Sequence, residues 1–144
     1  MKTRAIQPSR ARLDRLAMTF FPLLLGIGST GVLAIDEDRD EIVFFEAKIR
    51  PVKIEHCYSC HSAQAKPPKA GFRVDTRSGL RQGGDSGPAI EPGKPDDSLL
   101  IRLLEHSSEI AMMPPGGRLP DSVLDDFRSW IQRGAPDPRP NDSP

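Results

Sequence analysis

Apolar side chains recur at helical spacing along residues 42–61, IVFFEAKIRPVKIEHCYSCH. Phe45, Ile49 and Val52 supply the apolar face of such a helix, and Cys57 is a candidate to extend it. Pro51 lacks a backbone N–H and is therefore expected to kink or divide the helix. The pattern predicts one long helical segment that ends in the sequence Cys-Tyr-Ser-Cys-His.

Two further helices are predicted in the second half of the chain. Asp96 or Asp97 is expected to cap a short helix from Ser98 to His106, whose buried stripe consists of leucines. The last helix runs from Asp121 to Arg133, and Gly134 is expected to stop it. Its apolar face consists of Val123, Leu124, Phe127, Trp130 and Ile131.

Glycine and proline dominate the segments between these helices. Residues 62–96 include the run GGDSGP and are predicted to form a long ordered loop with at most a short hairpin near Phe72–Thr76. Residues 111–119, AMMPPGGRL, are also predicted to be loop. The chain is thus expected to be all-α, with three to four short helices and long Gly/Pro-rich loops. A hydrophobic core of this size often needs an additional stabilising link.

The first 34 residues differ in character from the rest. Residues 1–15 are basic, and residues 16–34 are apolar, uncharged and closed by Val32-Leu33-Ala34. This pattern predicts a signal peptide over residues 1–34, so that the remainder is periplasmic or lies on the outer side of the cytoplasmic membrane. The alternative is an uncleaved anchor through residues 16–34, which are about long enough to span a bilayer but contain Pro and several Gly.

The exported part is predicted to contain one domain. Residues 35–41 are interpreted as a charged linker, residues 42–136 as the domain, and residues 137–144 as a disordered Pro-rich tail. The chain has 20 basic and 20 acidic residues, and removal of five basic and one acidic residue with the leader leaves 15 and 19, a net charge of −4. A mildly acidic domain without a basic stripe does not favour nucleic-acid binding.

Both cysteines of the chain lie in the motif Cys57-Tyr58-Ser59-Cys60-His61. On a helix, Cys57, Cys60 and His61 would crowd toward one side. Two thiols at this spacing can form thioethers with the two vinyl groups of one haem, and the adjacent imidazole can bind the iron. C-x-x-C-H is the attachment signature of c-type haem. The motif therefore predicts one haem c per chain, held by Cys57 and Cys60 with His61 as the proximal iron ligand.

Two other interpretations of the motif are open. A disulfide oxidoreductase would need the first cysteine at a helix N-terminus in a βαβ setting, whereas the residues before Cys57 have a helical pattern. A structural zinc site would need a fourth ligand, for which His56 or His106 is available, but the spacing matches no common zinc pattern.

A second axial ligand for the iron is expected in the loop 111–119. Met112 and Met113 are the only methionines after the predicted leader, and they lie outside any helical stripe. The two prolines that follow restrict the backbone there. Met113 is the predicted distal ligand, with Met112 as the second choice and His106 as a further candidate. Methionine raises the reduction potential and favours electron transfer.

Further contacts to the haem are predicted from side-chain type. The propionates need hydrogen-bond donors, and the candidates are Arg73, Arg77, Arg118 and Trp130. The expected apolar walls of the crevice are Phe45, Ile49, Leu100, Leu103, Phe127 and Trp130.

Three segments together resemble the planctomycete-type cytochrome c domain, a relative of class I cytochromes c. They are HCYSCH, GFRVDTRSGLRQGGDSGPAIEPGKPDDSLLIRLL and MMPPGGRLPDSVLDDFRSWIQRGAP. The resemblance extends from about Ile42 to Pro136. It implies a small cytochrome c-like fold with Cys57 and Cys60 as thioether anchors, His61 as proximal ligand and Met113 as distal ligand.

The expected function is single-electron transfer by an exported mono-haem c-type cytochrome that is not an enzyme. Its partner would be a redox protein or a respiratory complex. One alternative is a haem-based enzyme or sensor in which the methionine ligand is displaceable. Another is a binding module that haem merely stabilises, with the GGDSGPAIEPG loop as its contact surface.

Overall fold

The computed structural model describes residues 31–139 and residue 141, and residues 31–37 by the course of their backbone alone. The elements are α1 (Gly31–Phe44), a π-helix (Phe45–Ile49), α2 (Arg50–His56), a 3₁₀ turn (Lys69–Gly71), α3 (Arg77–Gln82), α4 (Leu99–Leu104) and α5 (Asp121–Gln132). This part of the chain contains no strand, only an isolated bridge between Gly84 and Gly87. The predicted all-α class is confirmed.

The first helical segment runs without a break from Gly31 to His56, but its winding changes in the middle. The Arg50 N–H bonds to the Phe45 carbonyl, five residues back, which is the π-helical pattern. Pro51 follows in the first turn of α2. Proline has no N–H to donate to a carbonyl one turn earlier. The wider π-helical turn before Pro51 accommodates this missing hydrogen bond. Residues 35–41, for which the sequence predicts a linker, lie within α1.

α2 ends at His56, so the cysteine motif follows the helix and does not lie on it as predicted. Cys57 leaves the helical region with φ of −124°. The N–H groups of Cys60 and His61 both bond to the Cys57 carbonyl, at 3.1 and 2.9 Å. These two bonds form a tight turn that we call the motif turn (residues 57–61).

α3 is an element that the sequence pattern did not predict, and the hairpin suggested near Phe72–Thr76 is absent from the described chain. The Thr76 hydroxyl caps α3 by accepting a hydrogen bond from the Gly79 N–H at 3.0 Å. Leu80 is the only buried residue of this six-residue helix. One buried side chain gives no periodicity, so the available signals were the threonine cap and Gly83 at the end of the helix.

α4 has Ser98 as its N-cap residue, and neither Asp96 nor Asp97 caps it as predicted. The buried Ser98 hydroxyl donates to the Lys94 carbonyl and accepts from the Glu91 N–H, both at 2.9 Å. It therefore closes the loop before the helix, which explains why the more exposed aspartates are not needed there.

The core forms where the π-helix meets α5. The ring centroid of Trp130 lies 6.0 Å from that of Phe45 and 6.1 Å from that of Phe127. α5 begins at Asp121 as predicted, and Gly134 follows it with φ of +91°, a left-handed conformation that favours glycine. The core residues are Phe45, Ile49, Val74, Leu80, Ile90, Leu100, Ile101, Leu104, Leu119, Leu124, Phe127, Trp130, Ile131 and Ala135.

The chain beyond α5 folds back onto this core. Asp137 and Arg139 are buried, although the sequence predicts a disordered tail over residues 137–144. The predicted signal peptide, residues 1–34, lies outside the described residues except for its last four, which begin α1. Among the described helices, none has the length and apolar character that crossing a membrane requires.

Candidate functional site

One cleft of about 240 Å³ brings together all four residues of the primary ligand prediction. Cys57, Cys60 and His61 reach it from the motif turn, and Met113 reaches it from the loop between α4 and α5. The fold thus joins two segments that are far apart in the sequence. Met112 does not line the cleft and is 59% exposed.

Apolar side chains form most of the remaining wall. Leu100 and Leu103 of α4 line the cleft as predicted, whereas Phe45, Ile49, Phe127 and Trp130 lie in the core and do not reach it. The strongest helical stripes in the sequence belong to the protein's own core, so they did not identify the cleft. The additional apolar lining residues are Ala70, Phe72, Val74, Ala89, Leu99, Leu104, Ile110, Ala111, Pro114 and Pro115.

The Cys57 thiol is partly buried in mainly apolar surroundings. Burial raises its pKa to about 11, and the charge of Lys53 opposes this rise. Catalytic cysteines and zinc ligands have lowered pKa values and electropositive surroundings, so this setting does not favour a disulfide oxidoreductase. Within the described chain, no group of three or more His, Cys, Asp or Glu side chains is arranged to hold a metal ion. The zinc interpretation therefore receives no support.

His61 is held by neighbouring residues through its ring and through its backbone. Its ring centroid lies 5.2 Å from that of Phe72, and its carbonyl accepts the Val74 N–H at 2.8 Å. The imidazole Nδ1 is buried and has no hydrogen-bond partner among the described residues. An unpaired buried polar atom is costly, so the protein by itself does not satisfy this side chain.

The backbone of Met113 is attached to α4. Its N–H donates to the Leu103 carbonyl at 3.0 Å, which holds the Met-Pro-Pro loop against the cleft. His106, the other candidate for this role, ends the α4 region with φ of +58° and does not line the cleft. His56 lies at the cleft, where its Nε2 is 3.8 Å from Glu55 Oε1.

None of the four side chains predicted as propionate donors lines the cleft. Arg73, Arg77, Arg118 and Trp130 instead donate to Asp75, Asn141, Asp121 and the Pro136 carbonyl, respectively. The cationic side chain that does lie at the cleft is Lys69. Residue type alone could not reveal which arginines were already paired within the protein.

The glycine-rich turn 83–87 forms part of the cleft, which the sequence did not establish. Gly84, Asp85, Ser86 and Gly87 are among the lining residues. The Asp85 N–H bonds to the Ala70 carbonyl at 2.9 Å, and this bond ties the turn to the segment before Phe72.

The residues of the cleft fit a covalently attached haem. Two thiols, an imidazole and a thioether converge on one mainly apolar space. Nitrogen and sulfur are the axial ligand types that proteins offer to haem iron. Apolar walls suit the faces of a porphyrin. The buried Nδ1 of His61 has no hydrogen-bond partner among the described residues, so the protein does not engage this imidazole nitrogen elsewhere.

Comparison with known proteins agrees with this chemistry. Residues 57–117 match the model of the family described as Planctomycete cytochrome C. The match begins at the first cysteine and ends after the Met-Pro-Pro loop, so it includes all four converging residues. No curated protein and no solved structure matches the chain.

Proposed function

Because residues 57–117 match the Planctomycete cytochrome C family model, we propose that the protein is an exported mono-haem c-type cytochrome that carries single electrons. The observation that supports this most strongly is that Cys57, Cys60, His61 and Met113 line one apolar cleft. The two cysteines would hold the haem through thioethers, and His61 and Met113 would be its axial ligands. When bound, haem supplies a one-electron ferric–ferrous couple.

The protein's own part is to hold these ligands and to exclude water. Phe72 packs against the His61 ring, and the Leu103 carbonyl holds the backbone of Met113. Apolar walls and a thioether ligand both favour a higher potential. With a protein side chain at each axial position, no coordination site is left for a substrate, which favours electron transfer over catalysis.

The proposal includes export, because c-type haem is attached outside the cytoplasmic membrane and residues 1–34 have the pattern of a signal peptide. An uncleaved anchor through residues 16–34 would keep the domain on the same side. The partner would be a redox protein or a respiratory complex on that side, since the net charge of −4 without the leader does not favour nucleic acid.

We expect the protein, purified from a host that matures c-type cytochromes, to carry one covalently bound haem and to begin near Ile35. Intact-mass measurement checks both the added haem and the N-terminus. Cys57→Ala and Cys60→Ala should weaken covalent attachment, because each removes one thioether. His61→Ala should abolish the native visible spectrum. A colourless wild-type product with free thiols would contradict the proposal.

The same material tests the distal ligand. Met113→Ala should leave haem attached but lower the reduction potential, because a thioether ligand raises it, whereas Met112→Ala should change neither spectrum nor potential. The reverse result would assign the role to Met112. Carbon monoxide binding by the reduced wild-type protein would favour the sensor or enzyme alternative.

A further inference from the structure

We infer that the C-terminal segment Asp137–Arg139, which lies outside the family match, positions the haem-attachment turn, with Arg139 as the central positioning residue. This inference rests on the proposed function, because it concerns how the motif turn is held for haem. Arg139 does not itself line the cleft, so it would act through the residues that it contacts.

The guanidinium of Arg139 is buried and bonds to three parts of the chain. Nη1 donates to the Tyr58 hydroxyl at 2.8 Å, and Nη2 donates to the Val74 carbonyl at 3.2 Å. Nε and Nη2 donate to the two carboxylate oxygens of Asp137, at 2.8 and 2.5 Å. A guanidinium holds its donors in a rigid plane, so Arg139 holds its three partners in fixed directions relative to one another.

These contacts lead to both ends of the motif turn. Tyr58 lies between the two cysteines, directly after Cys57. The Val74 N–H donates to the His61 carbonyl at 2.8 Å, and Val74 also lines the cleft. Arg139 therefore contacts the start of the turn directly and its end through a single intervening residue.

Lys53 completes the cluster from the side of α2. Its Nζ is buried, 3.9 Å from Asp137 Oδ2, and has no hydrogen-bond partner among the described residues. The Lys53 carbonyl accepts the N–H groups of both Cys57 and Tyr58 at 3.0 Å. Loss of the Arg139 guanidinium would leave the buried Asp137 carboxylate with this longer contact and the hydrogen bond from the backbone N–H of residue 139. An incompletely paired buried charge is strongly disfavoured.

The closing experiment uses the chain's single tyrosine, Tyr58, as a local reporter in the haem-loaded protein. Burial raises the pKa of Tyr58, and the charge of Arg139 opposes the rise. Arg139→Gln should therefore shift the ultraviolet titration of the phenol to higher pH. The matched control is Arg128→Gln, which removes an arginine paired with Asp96 and Glu105 and should leave that titration unchanged.

Haem attachment tests the positioning role itself. The fraction of chains that carry covalent haem should fall several-fold in Arg139→Gln relative to Arg128→Gln. Tyr58→Phe should lower the fraction less, and the double variant Tyr58→Phe/Arg139→Gln should resemble Arg139→Gln alone. Substitutions of two residues that act through one shared contact have non-additive effects, whereas independent effects on stability add.

Two results would overturn the inference: equal haem attachment in Arg139→Gln and Arg128→Gln, or additive losses in the double variant. Arg139→Lys should restore little of the haem attachment, because an ammonium cannot replace the fixed plane of donors. Wild-type haem attachment in Arg139→Lys would also count against a geometric role. Failure of the proposed function would look different, because the wild-type protein itself would then lack covalent haem, and the inference would fall with it.

Discussion

At the scale of single residues, Lys53 shows how a charged side chain can occupy an apolar stripe. It lies four residues after Ile49 and eight after Phe45, so it falls on their buried helix face, and only 1% of it is exposed. Its Nζ lies 5.1 and 5.6 Å from the ring centroids of Phe45 and Trp130. Burial, aided by Arg139, lowers the Lys53 pKa to about 7, and Asp137 opposes this shift.

This shift predicts a pH dependence of stability. Between pH 7 and 10.5, the unfolded chain keeps the Lys53 proton and the folded chain does not, so the free energy of unfolding should rise with pH by up to about 1.4 kcal/mol per unit. Below pH 7 both states are protonated and the full cost of burying the ammonium is present. Lys53→Met should remove the rise and should be at least as stable as wild type at pH 6, because Asp137 keeps Arg139 as its partner.

Denaturant unfolding of both proteins from pH 6 to 9 is the measurement. Two results would contradict the prediction: a wild-type free energy of unfolding that does not change over this pH range, or a Lys53→Met protein that is clearly less stable than wild type at pH 6. Either would show that burying the Lys53 ammonium does not destabilise the protein.

At the scale of elements, turns shape the cleft more than helices do. The turn 83–87 packs so closely on the segment 70–72 that a Cβ on Gly84 would lie 2.3 Å from the Ala70 carbonyl oxygen and 2.9 Å from the Phe72 Cβ. Phe72 in turn packs on the ring of His61. A shift of the turn at Gly84 would therefore displace Phe72 and, through it, the ring of His61, the expected iron ligand.

Gly84→Ala is accordingly expected to destabilise the protein by about 1–3 kcal/mol, the usual cost of overpacking. Gly116→Ala is the matched control, since its Cβ would meet nothing within 4 Å, and its effect should stay within about 0.5 kcal/mol. Urea unfolding of the two variants measures the difference. Similar stabilities would mean that the turn can shift away from Phe72 at little cost.

At the scale of the whole molecule, the family match and the folding unit have different limits. The match covers residues 57–117, but more than half of the core residues lie outside it. These are Phe45, Ile49, Leu119, Leu124, Phe127, Trp130, Ile131 and Ala135. The π-helix and α5 therefore supply the packing on which the matched segment rests.

A fragment of residues 57–117 is thus expected not to unfold cooperatively, whereas a fragment of residues 38–139 should, because only the longer one retains the contact of Phe45 with Trp130. Circular dichroism during heating distinguishes the two. Cooperative melting of the short fragment would show that the matched segment folds without its neighbours.

The sequence alone named the residues that the fold brings together. Cys57, Cys60 and His61 were predicted as haem-binding residues from their spacing, and Met113 from its restricted loop, and all four line one cleft. Contacts over long range were predicted poorly. The donors proposed for the propionates are occupied within the protein, four of the six proposed crevice walls are core, and Arg139 is buried in a segment predicted to be disordered.

By itself, then, the sequence determined the helical class and the end of α5 before Gly134, and it supplied the candidate donor atoms, because these depend on periodicity, backbone restriction and residue type among close neighbours in the chain. Only the tertiary structure decided that the motif turn leaves α2, that Met113 rather than Met112 faces the cleft, and that Lys53, Asp137 and Arg139 form a buried cluster behind it. The physical reason is that burial and ion pairing are decided by residues distant in sequence, whose approach no local pattern encodes.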